Sequence, residues 1–186
     1  MAPMTTPKPS LAAALADLTT REARRALRSL GDDGDRHTGV HEARKSLRRL
    51  KSLLDLGGER FDANREPIVR GLTRLASSLS TLRDAHVAVT IARHVGGESP
   101  SERWSTAIAW LEARRDAMLD EALRKDPGFG KRRQRLAAIG AAITALPWDT
   151  VERPDIERAL ARSERRVAKA GGKAATQATT GNLHRW

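Results

Sequence analysis

The stretch VHEARKSLRRLKSLLDL, residues 40–56, decides the fold of this protein. Its apolar residues recur every three or four positions, which is the spacing of one face of an α-helix. They are Val40, Ala43, Leu47, Leu50 and Leu54. A neighbouring stripe of the same helix is cationic and polar, and it contains His41, Arg44, Lys45, Arg48 and Ser52, flanked by Arg49 and Lys51. The stretch therefore predicts a helix with one packing face and a row of cations beside it.

This row of cations has few acidic neighbours in the sequence. The nearby acids are Glu42 and Asp55, and like charges one helical turn apart repel each other by a few tenths of a kcal/mol per pair. One interpretation is an ordinary solvated helix face. The other is a surface that binds a polyanion, and the spacing alone leaves both open.

The composition favours an anionic partner. The chain has 186 residues, enough for one domain with a real core, and 34 Lys+Arg against 23 Asp+Glu give a net charge of +11. Such an excess suits nucleic acid, phosphorylated ligands or membrane surfaces. Aromatic residues make up only 3% of the chain, which provides little material for base stacking. The absence of cysteine excludes disulfides, thiolate metal sites and a cysteine nucleophile.

No targeting or membrane segment is evident in the sequence. The first ten residues, MAPMTTPKPS, lack the apolar stretch of a signal peptide, and no apolar run approaches the length that spans a bilayer. We therefore expect a soluble cytoplasmic protein that does not partner a membrane.

The whole chain predicts helices. Residues 1–9 form a disordered tail, a Ser10 cap starts a helix to about residue 30, and 31–39 is a loop before the helix at 40–56. One long helix is expected over 64–95, another from about residue 100 with Ser99 or Ser101 as its cap, and another over 129–146. A proline-bounded connector at 147–154 leads to a helix capped by Asp155 that runs to about residue 170, and 171–182 reads as a loop. No segment alternates with period two, so no strand is predicted.

Arg83 departs from the apolar pattern of its helix. It lies one turn beyond Leu79 and points roughly where the apolar stripe points. An arginine at the margin of a packing face needs a partner or a wet cavity. A salt bridge to a neighbouring helix and a place in a hydrated groove are both open.

The sequence contains no recognisable catalytic pattern. The five histidines occur singly, without the spacing of metal ligands, and no phosphate-binding glycine loop, nucleophile elbow or carboxylate pair is present. We predict no enzymatic activity, no metal site and no cofactor.

Two segments together resemble the CHAD domain, the conserved-histidine α-helical domain. They are HEARKSLRRLKSLL at 41–54 and LSTLRDAHVAV at 79–89, and the similarity rests on His41, Arg44, Arg48, Arg49 and Lys51 and on Leu82, Arg83, Asp84 and Val87. The resemblance implies an all-α protein with two similar four-helix halves, whose basic helices line a positively charged groove that binds inorganic polyphosphate. It implies phosphate contacts first from Arg44, Arg48, Lys51 and Arg83, and second from Lys45 and Arg49. His41 belongs to the same set, with a structural hydrogen-bonding role as the alternative.

The sequence departs from the family pattern in its second half. That half usually opens with its own basic helix, and TGNLHRW at 180–186 is similar to such an opening, but the chain stops at Trp186. We therefore expect an antiparallel bundle at 10–146, the first four-helix half, followed by the beginning of an incomplete second half at 154–186. Unpartnered apolar positions there predict either self-association through the C-terminal segment or disorder from about residue 171: Ile156, Leu160, Val167, Leu183 and Trp186.

Polyphosphate suits a rigid row of arginines and lysines because it carries about one charge per phosphate and has no bases to read. The resemblance also implies an association with polyphosphate granules. Two alternatives remain open, namely a helical protein that binds nucleic acid without sequence preference, and a helical scaffold for an acidic protein partner.

Overall fold

The computed structural model describes residues 10–177 and 179, apart from the side chains of residues 62 and 63, and within this part it is all helical. Seven α-helices follow one another: α1 (Leu11–Gly31), α2 (Arg36–Leu56), α3 (Asp62–Ser78), α4 (Ser80–Gly96), α5 (Glu102–Lys125), α6 (Gly130–Thr144) and α7 (Arg153–Thr176). Short 3-10 turns occupy 58–61, 127–129 and 148–150. The predicted all-α class is confirmed, while the predicted tail at 1–9 and the LHRW segment lie outside the described residues.

The apolar face of α2 forms the centre of the core. Its five predicted apolar residues are each at most 1% exposed. The helix α1 packs along α2, and α6 packs against both α1 and α3. Because residues 32–35 alone join α1 to α2, these two helices run antiparallel. The periodicity of the sequence therefore identifies the packing face of α2 correctly.

The second helix begins earlier than predicted, and most of the expected loop at 31–39 is wrong. Asp35 caps α2, because its Oδ1 accepts hydrogen bonds from the backbone N–H groups of His37 (3.0 Å) and Thr38 (3.1 Å). An aspartate at this position satisfies donors that a helix start otherwise leaves unpaired. As a result His37 and Gly39 belong to the helix rather than to a loop.

The single long helix predicted over 64–95 is also wrong, because the chain breaks it at Leu79 into α3 and α4. The Ser78 hydroxyl donates to the carbonyl of Leu75 (2.8 Å), and the Leu79 N–H turns to the carbonyl of Ala76 (3.2 Å). A serine that competes for backbone carbonyls bends or ends a helix locally.

The last helix differs from the prediction at both ends. It begins at Arg153, so Asp155 lies in its first turn, and the Asp155 carboxylate accepts a hydrogen bond from the Glu152 N–H (3.0 Å). It continues through 171–176, which were predicted as loop and, as the alternative to self-association, as disordered. The connector before it packs into the core, since Trp148 is 5% exposed and its indole N–H donates to the Ile143 carbonyl (2.8 Å). The division at 146–154 stays a prediction.

Candidate functional site

The residues predicted for the site lie on α2, with Arg83 on α4. Arg48 occupies the middle of the α2 row and is exposed to solvent. Its guanidinium makes no hydrogen bond or ion pair with any residue that the structure describes. Arg48 is therefore the predicted residue most available to an incoming anion.

Arg44 lies at the break between α3 and α4. Its guanidinium donates to the carbonyl of Ala76 and to the hydroxyl of Ser80, the latter at 2.9 Å. Burial lowers the pKa of Arg44, the Asp84 carboxylate nearby acts in the opposite direction, and the charges of Arg83 and Arg48 lower the pKa further. Even so, an arginine stays charged at neutral pH. Arg44 therefore has a structural role that the sequence did not indicate, because it pairs with backbone freed at the break.

A second arginine reaches the same break from α6. The Arg132 Nε donates to the Ser78 hydroxyl (3.3 Å), and its Nη1 lies 2.8 Å from the buried Asp126 carboxylate. Its guanidinium also stands 5.3 Å from the centre of the Phe129 ring. Nothing in the sequence indicated this contact, because it joins residues more than fifty positions apart. Arginines from α2 and α6 therefore stabilise the break between α3 and α4.

Lys51 and Arg83 complete the side of α2 that faces α3 and α4. The Lys51 ammonium donates to the Thr73 hydroxyl on α3 (3.1 Å), so its partner is neutral. Arg83 is half-buried and pairs with Asp84, the next residue on its own helix, at 3.0 Å. Its side chain is 37% exposed, so it lies beside the core and not within it.

Lys45 and Arg49 point to the other side of α2, towards α1. Lys45 pairs with Glu42 (3.2 Å), and Arg49 pairs with Glu22 of α1 (3.3 Å). Together with Arg48 these two line an open pocket of about 570 Å³. The acid from α1 is a partner that the α2 sequence by itself could not reveal.

The acidic partners divide the six predicted cations into two groups. Lys45, Arg49 and Arg83 each pair with a carboxylate. Arg44, Arg48 and Lys51 have no ion pair within the described part of the chain. An anion approaching these three does not have to displace a carboxylate first.

Three histidines that appear isolated in the sequence meet beside this surface. The rings of His37 and His86 stack with centroids 5.8 Å apart, and the His41 ring lies 6.4 Å from that of His86. The His37 Nε2 lies 3.0 Å from the Asp116 carboxylate of α5. The fold therefore brings together three histidines that their separate positions in the sequence did not group. Because α2 begins at Arg36, His37 and His41 lie one helical turn apart on it. This four-residue spacing is the sequence signal for part of the cluster.

The His86 ring is the least satisfied member of this cluster. Its Nδ1 is buried and has no hydrogen-bond partner among the described residues. Burial lowers the pKa of His86, and the neighbouring His37 lowers it further. The folded protein therefore favours the neutral imidazole at this position.

His86 is expected to make the protein less stable as the pH falls through about 6.5, its ordinary pKa. Because the pKa is lower in the folded state, the unfolded chain takes up the proton first, and the free energy of unfolding drops by at most about 1.4 kcal/mol per pH unit. Urea titrations between pH 7.5 and 5.5 measure this slope. The variant His86→Leu should flatten it, while His94→Leu on the exposed face of the same helix should keep it. An equal slope in wild type and His86→Leu would contradict the assignment.

The described residues contain no group of three His, Asp or Glu side chains placed to hold a metal ion. Over the same part of the chain, every helix is too short or too polar to cross a bilayer.

Comparison with known proteins identifies the family. The family model of the CHAD domain matches residues 10–186. Neither the curated proteins nor the solved structures include a match to this chain. CHAD domains in general are non-catalytic and bind polyphosphate-related ligands. Because the match spans nearly the whole sequence, the chain belongs to the CHAD domain family.

Proposed function

We propose that this protein binds inorganic polyphosphate, without catalysis, through the α2 surface, which we define as His41, Arg44, Lys45, Arg48, Arg49, Lys51 and Arg83. The observation that carries the proposal is the row of Arg44, Arg48 and Lys51, which have no acidic partner in the described part of the chain. At 1.5 Å per residue this row extends about 10 Å along the helix. Successive phosphates of a flexible polyanion can follow such a row.

The surroundings of each side chain determine its part in binding. Arg48 makes the first contact because it is exposed and unpaired among the described residues. Lys51 can turn from the neutral Thr73 hydroxyl to a phosphate at little cost. Arg44 contributes its charge from a fixed position, since its donors already hold the helix break. The other three cations each pair with a carboxylate, so they contribute less positive potential, at the edge of the surface: Lys45, Arg49 and Arg83.

The α2 surface suits polyphosphate better than it suits sequence-specific binding of nucleic acid. A recognition helix for duplex DNA carries amide or hydroxyl side chains among its cations to read base edges. The row on α2 contains neither asparagine nor glutamine, and only Ser46 and Ser52 interrupt it. Ser46 is fully buried, so it is not available to a base. Phosphate contacts alone, which the surface offers, are enough for binding without sequence preference.

The variant Arg48→Gln/Lys51→Gln tests the proposal. We expect long-chain polyphosphate to bind about tenfold more weakly, because two charge-assisted contacts at an exposed surface are worth about 1–2 kcal/mol together. The slope of log affinity against log salt concentration should become shallower by about one to two, since fewer counterions are released. Fluorescence anisotropy of labelled polyphosphate over a salt series measures both quantities.

The matched control is Lys131→Gln/Arg135→Gln, which removes one lysine and one arginine from the exposed side of α6. It lowers the net charge by the same two units and should weaken binding less than threefold. An equal loss in both variants would show that total charge, and not the α2 surface, governs binding.

Competition at equal phosphate concentration separates the alternative partners. Under the proposal, DNA and RNA displace labelled polyphosphate only at a large excess. Equal competition would favour nucleic acid binding without sequence preference, and no binding of any of the three polymers would favour an acidic protein partner. The proposal includes a cytoplasmic location and association with polyphosphate granules.

Self-association through the C-terminal segment also stays a prediction. Ile156 packs against the core, whereas Leu160 and Val167 on α7 are 49% and 58% exposed. Leu183 and Trp186 lie outside the described residues.

A further inference from the structure

Three histidines beside the α2 surface form what we call the histidine cluster: His37, His41 and His86. The rings of His37 and His86 stack with 13° between their planes and 5.8 Å between their centroids, and the His41 ring lies 6.4 Å from that of His86. The first two come from α2 and the third from α4. Only His41 belongs to the α2 surface, so the proposed function gives the other two no role.

The histidine cluster extends the cationic row of α2 towards the start of the helix. Four residues follow one another on a single stripe, at four-, three- and four-residue spacing: His37, His41, Arg44 and Arg48. At 1.5 Å per residue, the row from Arg44 to Lys51 is about 10 Å long, whereas the row from His37 to Lys51 is about 21 Å long. On α4, His86 follows Arg83 by three residues, so a histidine adjoins a cation there as well.

The charges that face the histidine cluster compensate one imidazolium ion but not three. Among the residues that the structure describes, two acids and one arginine face it from the neighbouring elements: Asp35 at the cap of α2, and Arg115 and Asp116 on α5. Asp116 lies 3.0 Å from the His37 Nε2 and also pairs with Arg115 at 2.8 Å. On α4 itself, the charge of Arg83 is paired with Asp84. Two carboxylates and one guanidinium give a net charge of −1, so three protonated rings would repel each other.

His86 holds a proton poorly in the free protein. Burial lowers its pKa, the charge of His37 lowers it further, and Asp35 acts in the opposite direction. Arg115 and His41 also lower the pKa of His86. Its buried Nδ1 has no hydrogen-bond partner among the described residues, so no acceptor there stabilises the charged ring. A polyanion beside the cluster would supply the negative charge that these groups do not.

We propose that the histidine cluster is a proton-dependent extension of the α2 surface, a role that rests on the proposed function and makes polyphosphate binding dependent on pH. Neutral imidazoles at alkaline pH leave the row about 10 Å long, whereas imidazolium ions lengthen it to about 21 Å. A bound polyanion stabilises the protonated rings, and the protonated rings bind the polyanion more tightly, because linkage is reciprocal. Affinity therefore rises as the pH falls through about 6.5, the ordinary pKa of histidine. It continues to rise below that value because the lowered pKa of His86 delays its protonation.

Calorimetric titration of the full chain with long-chain polyphosphate at pH 6.5 tests this coupling directly. The enthalpy of binding is measured at fixed salt in two buffers with different ionisation enthalpies, and the difference gives the number of protons taken up per protein bound. We expect about one proton or more, since uptake of one proton corresponds to a rise in affinity of about tenfold per pH unit. Titrations at pH 7.5 and 5.5 should accordingly differ in affinity by at least about tenfold.

The variant His37→Gln/His86→Leu removes both histidines that lie outside the α2 surface. At pH 8.0, where imidazoles are neutral, it should bind polyphosphate within about twofold of wild type. At pH 6.5 it should take up less than about half as many protons as wild type, and it should lose most of the gain in affinity on acidification. The control His94→Gln replaces an exposed histidine of α4 outside the cluster and should keep both. Because the ligand is the same in every titration, changes in its own charge cancel.

Circular dichroism at each pH shows whether the variants are folded, and His37→Gln alone, which leaves His86 in place, should also reduce the proton uptake. Binding of polyphosphate by wild type without proton uptake would overturn this proposal and leave the proposed function intact. Equal uptake in wild type and the two cluster variants, or an equal loss in His94→Gln, would do the same. Absence of polyphosphate binding at every pH would overturn the proposed function and this proposal with it.

Discussion

The variant Gly39→Ala is expected to destabilise the protein by about 3 kcal/mol, because Gly39 packs directly against the backbone of α1. A Cβ at this position would stand 2.4 Å from the carbonyl oxygen of Ser29, which is backbone and cannot rotate away. The two helices would have to separate along the interface that carries most of the α2 core face. Overpacking of this kind typically costs 1–3 kcal/mol, and rigid backbone places this case at the upper end. Chemical denaturation of wild type and variant measures the difference.

The control Gly140→Ala makes the same substitution at the α1–α6 interface. A Cβ there meets the Ala23 methyl at 3.6 Å, an ordinary contact. Because alanine is the better helix former by about 0.5–1 kcal/mol, this variant should be neutral or slightly more stable. A Gly39→Ala variant as stable as Gly140→Ala would show that α1 and α2 are not as close as the structure places them.

The variant Arg44→Met is expected to lose about 2 kcal/mol of stability as well as some polyphosphate affinity. The substitution keeps an unbranched chain but removes the charged donors to the Ala76 carbonyl and the Ser80 hydroxyl. Hydrogen bonds from charged groups contribute about 1.5–3 kcal/mol each, and half-burial at this site reduces that figure. The Ala76 carbonyl keeps its bond from the Leu79 N–H, which limits the loss.

The matched variant Arg48→Met, on the same helix, distinguishes an effect on stability from an effect on polyphosphate affinity. Arg48 is exposed and has no partner among the described residues, so stability should change by no more than about 0.5 kcal/mol while polyphosphate affinity falls. If Arg44→Met is as stable as Arg48→Met, the helix break at Leu79 does not depend on Arg44. Thermal denaturation and anisotropy titrations on both variants give the two readouts.

The sequence determined the all-α class and the packing face of α2. The apolar spacing of α2 places every predicted residue in the core, and Ser101 caps α5 as one of the two expected candidates. These features depend on neighbours three or four positions away, so a helix pattern contains the information. The cationic stripe of α2 is determined in the same way, since the angle around the helix follows from position alone.

The helix ends were predicted wrongly where a side chain competes with the helix for backbone hydrogen bonds. Composition does not show which of the two forms. The aspartate at 35 starts α2 inside a stretch rich in turn residues, and the Ser78 hydroxyl ends α3 inside an apolar stripe that continues without interruption. In both places a side chain hydrogen-bonds to nearby backbone with a free energy similar to that of one more helical bond.

Tertiary structure alone decided the contacts that Arg44, Arg49 and Lys51 make with other helices. Glu22 reaches Arg49 from α1, the α3–α4 break takes Arg44 from α2 and Arg132 from α6, and His86 joins two histidines of α2. Arg162 and Arg166 of α7 likewise share a pocket with Asp55 of α2 only because tertiary packing brings α7 beside the end of α2. The net charge of the sequence predicts the sign of the partner's charge, because every charged residue contributes to the net charge wherever it lies in the fold. The free energy of each contact depends on distances across helices, and those are fixed only when the core packs.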